Sequence, residues 1–148
     1  MTQYYFIDWF GPEQKAATCG MWWLVEKASR ASEKTGFVFV PSTEDFGDKT
    51  FGVAVSKLYG ERYVKELMLN KETTIGKTRI ILFDEESMIT DAGDCPLVAF
   101  YPFSEELEGL DSIKNVSDML VVPYIEKEFV AWKQRRNPIV FAVPQEFA

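Results

Sequence analysis

Residues 78–102 read TRIILFDEESMITDAGDCPLVAFYP, and the punctuation of this stretch decides the fold class. Thr78–Phe83 (TRIILF) and Leu97–Tyr101 (LVAFY) are short runs of β-branched, aliphatic and aromatic residues. Such runs suit strands buried on both faces of a sheet. Between them, Asp84–Asp94 (DEESMITDAGD) sets five carboxylates in eleven residues, which calls for a solvated connection. Pro102 stops the second run, because proline has no N–H to give to a strand ladder. The connection shows no clear crossover helix, so a turn of helix or a hairpin is expected there.

The same alternation extends outward in both directions. Tyr4–Phe10 (YYFIDWF) reads as a first strand, and Gly11-Pro12 opens a helix with Glu13 near its positive end. Ala17, Met21, Leu24 and Ala28 carry that helix at three-to-four spacing, and Gly36 is expected to close it. Phe37–Val40 (FVFV) is a second strand stopped by Pro41. After the polar loop 42–50, Val55, Leu58, Tyr59, Tyr63, Val64, Leu67 and Met68 recur at helical spacing, with Gly60 placed to split the helix. Ser104 is a good N-cap for a short acidic helix, and Met119–Val122, before Pro123, is a fifth strand. Glu126–Arg136 forms a last helix, whose Arg135 and Arg136 suit its negative end.

Short apolar strands alternating with amphipathic helices predict an α/β fold in three layers, with a mostly parallel five-stranded sheet between two layers of helices. The expected topology is doubly wound and flavodoxin-like, or more broadly Rossmann-like, with strand order 2-1-3-4-5. Ile139–Val143, between Pro138 and Pro144, is a possible extra C-terminal strand. All 148 residues are expected to form a single domain, with 137–148 as an edge strand or an interface tail.

Composition excludes several functions. The net charge is −7, from 16 basic and 23 acidic side chains. Residues 1–74 hold 9 basic and 10 acidic groups, and residues 75–148 hold 7 and 13, so the excess lies in the second half. Such a surface repels phosphate backbones and anionic membranes. With no run near the roughly 20 apolar residues of a membrane helix, and no basic region before the apolar N-terminal run, a cytoplasmic location is expected. There is no histidine, which removes Ser-His-Asp and Cys-His systems and every imidazole metal site. Cys19 and Cys95 lie 76 positions apart without CxxC spacing, and read as two reduced, packed thiols, though the spacing leaves a disulfide open.

A site is therefore expected beyond the carboxyl ends of the strands, where open parallel sheets bind ligands. The residues placed there are Asp8, Trp9, Glu44, Asp84, Glu85 and Tyr124. Asp8 and Asp84 would form a Mg²⁺ site if the first and third strands were neighbours, since that ion prefers oxygen ligands. In size and expected strand order the chain resembles response-regulator receiver domains, with Asp84 at the phosphoacceptor place. It departs from them at Val122-Pro123, where that family carries Lys-Pro, so their chemistry is not carried over. No GxGxxG or GxxxxGK[ST] loop is present.

The aromatic content points elsewhere. Trp22 and Trp23 stand side by side on the first helix and point about 100° apart. With Ile139 and Phe141 of the tail they are candidate interface residues. The favoured expectation is a non-catalytic, self-associating interaction or regulatory module, a homodimer. The alternative is a small-ligand- or Mg-binding domain, or an enzyme, using strand-end carboxylates beside an aromatic wall from Trp9, Phe10 or Tyr124.

Overall fold

Residues 1–147 are described by the computed structural model. The strands are β1 Gln3–Phe6, β2 Thr35–Phe39, β3 Glu72–Ile75, β4 Thr78–Phe83, β5 Asp91–Phe100, β6 Lys114–Val122 and β7 Ile139–Val140. The helices are α1 Gln14–Arg30, α2 Thr50–Leu58, α3 Glu61–Asn70, α4 Ser104–Asp111 and α5 Glu126–Arg136. All seven strands join one sheet in the order β3-β4-β2-β5-β6-β1-β7. Every neighbouring pair is parallel except β3 with β4.

The two-residue period of the strands sorts the core into two layers. Val38, Val40, Ile80, Leu82, Val98 and Phe100 pack with α1, α2 and α3. The alternating residues Phe37, Phe39, Phe83, Leu97 and Ala99 pack with Leu107 and Leu110 of α4 and with Phe129 and Trp132 of α5. This is an α/β protein with a mixed, mostly parallel sheet flanked by helices on both faces.

Three expectations change. First, the sheet has seven strands rather than five. β3 forms a hairpin with β4 through Gly76-Lys77, where Gly76 takes φ +64°, and β7 adds the expected C-terminal strand. The ETTI run of β3 is too short and polar to announce itself. Second, the strand order is not 2-1-3-4-5. The first strand lies between β6 and β7, and the FVFV strand lies further inside, between β4 and β5. Burial explains the exchange: Phe37–Val40 are buried, whereas Gln3 is exposed and Tyr4 and Tyr5 are half-buried. A central position rewards the strand that is apolar on both faces.

Third, some helix ends move. Gly36 does not end α1; it lies in β2, where an added Cβ would stand 3.0 Å from Ala28 and Leu24, so its absence lets helix and sheet approach closely. Helix α1 starts at Gln14 with Glu13 as its cap, and α4 is capped by Phe103 rather than Ser104. Gly60, at φ +121°, does separate α2 from α3.

The topology also sets where a crevice can form. From β2 the chain turns to α2 on one face, and from the adjacent β5 it turns to α4 on the other. Loops that part in opposite directions from neighbouring parallel strands leave a cleft between them.

Candidate functional site

That cleft is present, with a volume of about 500 Å³. Four loops build it. Pro12 comes from the loop after β1, and Pro41, Ser42, Asp45, Asp48 and Lys49 come from the segment after β2. Tyr101, Pro102 and Phe103 follow β5, Tyr124 and Ile125 follow β6, and Thr50 and Phe51 begin α2. Two contacts tie these loops together. Gly11 N–H donates to the Tyr124 carbonyl at 2.8 Å, and the Gln14 side-chain amide donates to the Thr50 carbonyl at 3.0 Å.

Tyr101 is the centre of the lining. Its backbone has φ +55°, a left-handed conformation that is uncommon and costly for a bulky residue. Its N–H donates to the Val122 carbonyl at 2.8 Å, which holds the turn against β6. The hydroxyl shares a hydrogen bond with the Thr50 hydroxyl. The ring meets Tyr124 edge-on, with centroids 5.1 Å apart and planes at 74°, and lies 6.0 Å from Phe51. Burial pushes the Tyr101 hydroxyl above the usual tyrosine range, against the lowering effect of the Thr50 bond, so it stays protonated near neutrality. Phe103, Tyr124 and Ile125 leave the rim apolar and open to solvent.

A second recess of about 410 Å³ is lined by Glu85 from the segment after β4, by Phe103, Ser104, Glu105 and Glu106 at the start of α4, and by Glu128 of α5. Several of its carboxylates are engaged with backbone. Glu106 accepts the Phe103 N–H at 2.9 Å, and Glu128 accepts the Ser104 N–H at 3.0 Å and its hydroxyl at 3.1 Å. Glu106 is only 5% exposed. Burial, with a contribution from nearby Glu85 and Asp84, raises its pKa against the lowering effect of the Phe103 N–H.

Asp84 ties the two regions together. One oxygen accepts from the N–H and hydroxyl of Thr43, at 3.2 and 3.1 Å. The other accepts from the N–H groups of Glu86 and Ser87 and from the Ser87 hydroxyl. It therefore caps both the 3-10 turn Thr43–Asp48 and its own short turn Glu85–Ser87. Burial alone would raise its pKa, but these donors together hold it below the usual aspartate value.

Of the residues expected at a site, Tyr124 lines the crevice. Asp8 is exposed after β1, and Trp9 is half-buried against the core layer of α1. Glu44 is exposed on the 3-10 turn, and Glu85 lines the acidic recess. The condition for pairing Asp8 with Asp84 is not met, because β2, β5 and β6 stand between β1 and β4. Among the described residues no group of three His, Cys, Asp or Glu side chains is arranged to hold a metal.

The interface candidates are largely engaged within the chain. Trp23 is 2% exposed, and Trp22 packs on Phe147 with ring centroids 5.5 Å apart. Phe141 is half-buried against the same core layer, and Ile139 is exposed. The crevice residues Thr50, Phe51, Tyr101 and Phe103 were not among the expected site residues. Their one sequence signal is a proline directly after an apolar strand, at Val40-Pro41, Tyr101-Pro102 and Val122-Pro123.

No protein-family model matches the chain, and neither a curated protein nor a solved structure matches it. Among the described residues no helix is long and apolar enough to cross a membrane.

Proposed function

We propose that the chain is a small-ligand-binding domain whose site is the aromatic crevice at the carboxyl ends of β2, β5 and β6. One observation carries this reading: the crevice lies where neighbouring strands send their chains to opposite faces, and Tyr101 stands in it on a strained backbone. Strained residues persist where surrounding structure holds them, and they concentrate at ligand sites. A volume of about 500 Å³ falls in the range of small-molecule sites, as does a mostly apolar lining with a few polar groups. The favoured ligand is one that rings can grip, rather than a metal held by Asp8 and Asp84.

The test is a panel of small aromatic and aliphatic compounds titrated into isotopically labelled protein. The reading expects amide shifts to concentrate at Tyr101, Phe103 and Tyr124, and Phe103→Ala with Tyr124→Ala to abolish them while the melting temperature holds. Shifts scattered over the surface, or none, would overturn it.

Self-association is a second reading, supported by β7. It lies at an edge of the sheet and leaves Ile139 56% exposed, and such edges invite pairing with another chain. Sedimentation of the protein and of Ile139→Lys decides it. A dimer that the variant dissociates supports this reading, whereas a monomer at every concentration removes it.

A further inference from the structure

We propose that the crevice takes an organic cation of the alkylammonium class, its charged head set in the corner between Tyr101 and Tyr124. This rests on the reading of the crevice as a ligand site and names what that site prefers.

The first observation is the ring geometry. Tyr101 and Tyr124 stand at 74° with centroids 5.1 Å apart, so their planes make a corner rather than a stack. The Phe51 ring, only 2% exposed, backs Tyr101 from the core at 6.0 Å and 58°, so the two tyrosines supply the faces of the corner. Aromatic faces carry negative charge density, and a cation within about 6 Å of a ring centre is drawn to it. A quaternary alkylammonium head such as that of choline is large and weakly hydrated, so it gives up little on entering an apolar corner.

The second observation is charge. The ionisable groups of the lining, tyrosines apart, are Asp45, Asp48 and Lys49, a net −1. Among the described residues no ion pair uses either aspartate. From the loop before α1, Glu13 also lies close enough to act on the Tyr101 hydroxyl. The positive end of α2 would draw an anion, but Asp45 and Asp48 sit in the turn leading into that helix and oppose it. The whole chain, at −7, repels anions further. Beyond the corner, Phe103 and Ile125 leave room for an apolar body on the cation.

Three probes of similar shape separate charge from bulk: choline, its uncharged counterpart 3,3-dimethylbutan-1-ol, and the anion 3,3-dimethylbutanoate. Each is titrated into labelled protein while the amides of Tyr101, Phe103 and Tyr124 are followed. Choline is expected to bind there about ten-fold more tightly than the alcohol, the equivalent of ~1.4 kcal/mol. Asp45→Asn with Asp48→Asn should reduce that preference and leave the alcohol unchanged. Tyr124→Leu, which keeps an apolar side chain but removes a ring, should weaken choline selectively. Equal binding of choline and alcohol at these amides, or tighter binding of the anion, would overturn the cation and leave the crevice as a ligand site. If none of the three probes moves these amides, the cation is again overturned, and the compound panel described above judges the crevice separately.

Discussion

The aromatic crevice and the acidic recess share Phe103 as a common wall and differ in almost everything else. The recess is rich in charge, yet its Glu106 and Glu128, like Asp84 outside its lining, accept backbone N–H groups at the starts of short helical segments. Those carboxylates are capping groups, satisfying donors that a helix start otherwise leaves without partners. The crevice has fewer charges, but among the described residues Asp45 and Asp48 enter no ion pair, and Phe103 and Tyr124 are open to solvent. The conspicuous charges of this chain hold loops in place, and the better candidate for chemistry is the quieter, apolar region beside them.

Replacing Asp84 should expose that difference most strongly. Asp84→Ala removes five hydrogen bonds across two turns and should cost about 2–3 kcal/mol by urea unfolding. It should also loosen the Thr43–Asp48 turn, which carries Asp45 and Asp48 to the crevice. A loss below ~0.5 kcal/mol would mean that the carboxylate is not a cap, and would return Asp84 to the list of binding groups.

The pH dependence separates Asp84 from Glu106, because their shifts have opposite sign. Asp84 is lowered in the folded state, so its contribution is present above the ordinary aspartate value of 3.8 and is lost as pH falls through its folded pKa. Glu106 is raised, so the folded state holds its proton more tightly than the unfolded chain. Stability from Glu106 therefore declines as pH rises from the ordinary 4.5 through its folded pKa. Glu106→Gln, which can still accept the Phe103 N–H, should flatten that decline. Its stability relative to the parent protein should be greatest near neutrality and shrink toward pH 4.5; the opposite trend would contradict the burial assigned to this carboxyl.

Changes within the crevice should be milder. Tyr101→Phe removes the hydroxyl held by Thr50 and keeps the ring, so a loss of about 0.5–1 kcal/mol in thermal or chemical unfolding is expected. Tyr124→Leu alters an exposed side chain and should leave stability within ~0.5 kcal/mol, while reducing ligand binding. A large loss of stability from Tyr124→Leu would make that ring structural and bring the two regions closer in character.

Much of the architecture was legible from local pattern. The strand at Thr78–Phe83 and the helix at Glu126–Arg136 appear at the positions their composition marks, and Gly60 divides its helical region. The acidic connection after the third apolar run contains a turn of helix, one of the two forms expected. Strand order was less legible, because it depends on a competition. Phe37–Val40 lies deeper in the sheet than the aromatic first strand, which stands next to the edge strand β7, and the advantage of two apolar faces appears only when all strands are compared in one sheet. The place of the crevice, beyond the carboxyl ends of the strands, was legible, but of its aromatic walls only Tyr124 was named, since the others come from loops distant in sequence.

Local chemistry therefore determined the class, the alternation of strands and helices, and the net negative charge. Those properties follow from periods of two and 3.6 residues and from counting, which need no knowledge of distant neighbours. Tertiary structure decided which strand sits at the centre, which carboxylates become caps, and where four loops meet. Each of these turns on contacts between segments tens of residues apart: Asp84 reaches Thr43 and Tyr101 reaches Thr50 only after the sheet has assembled.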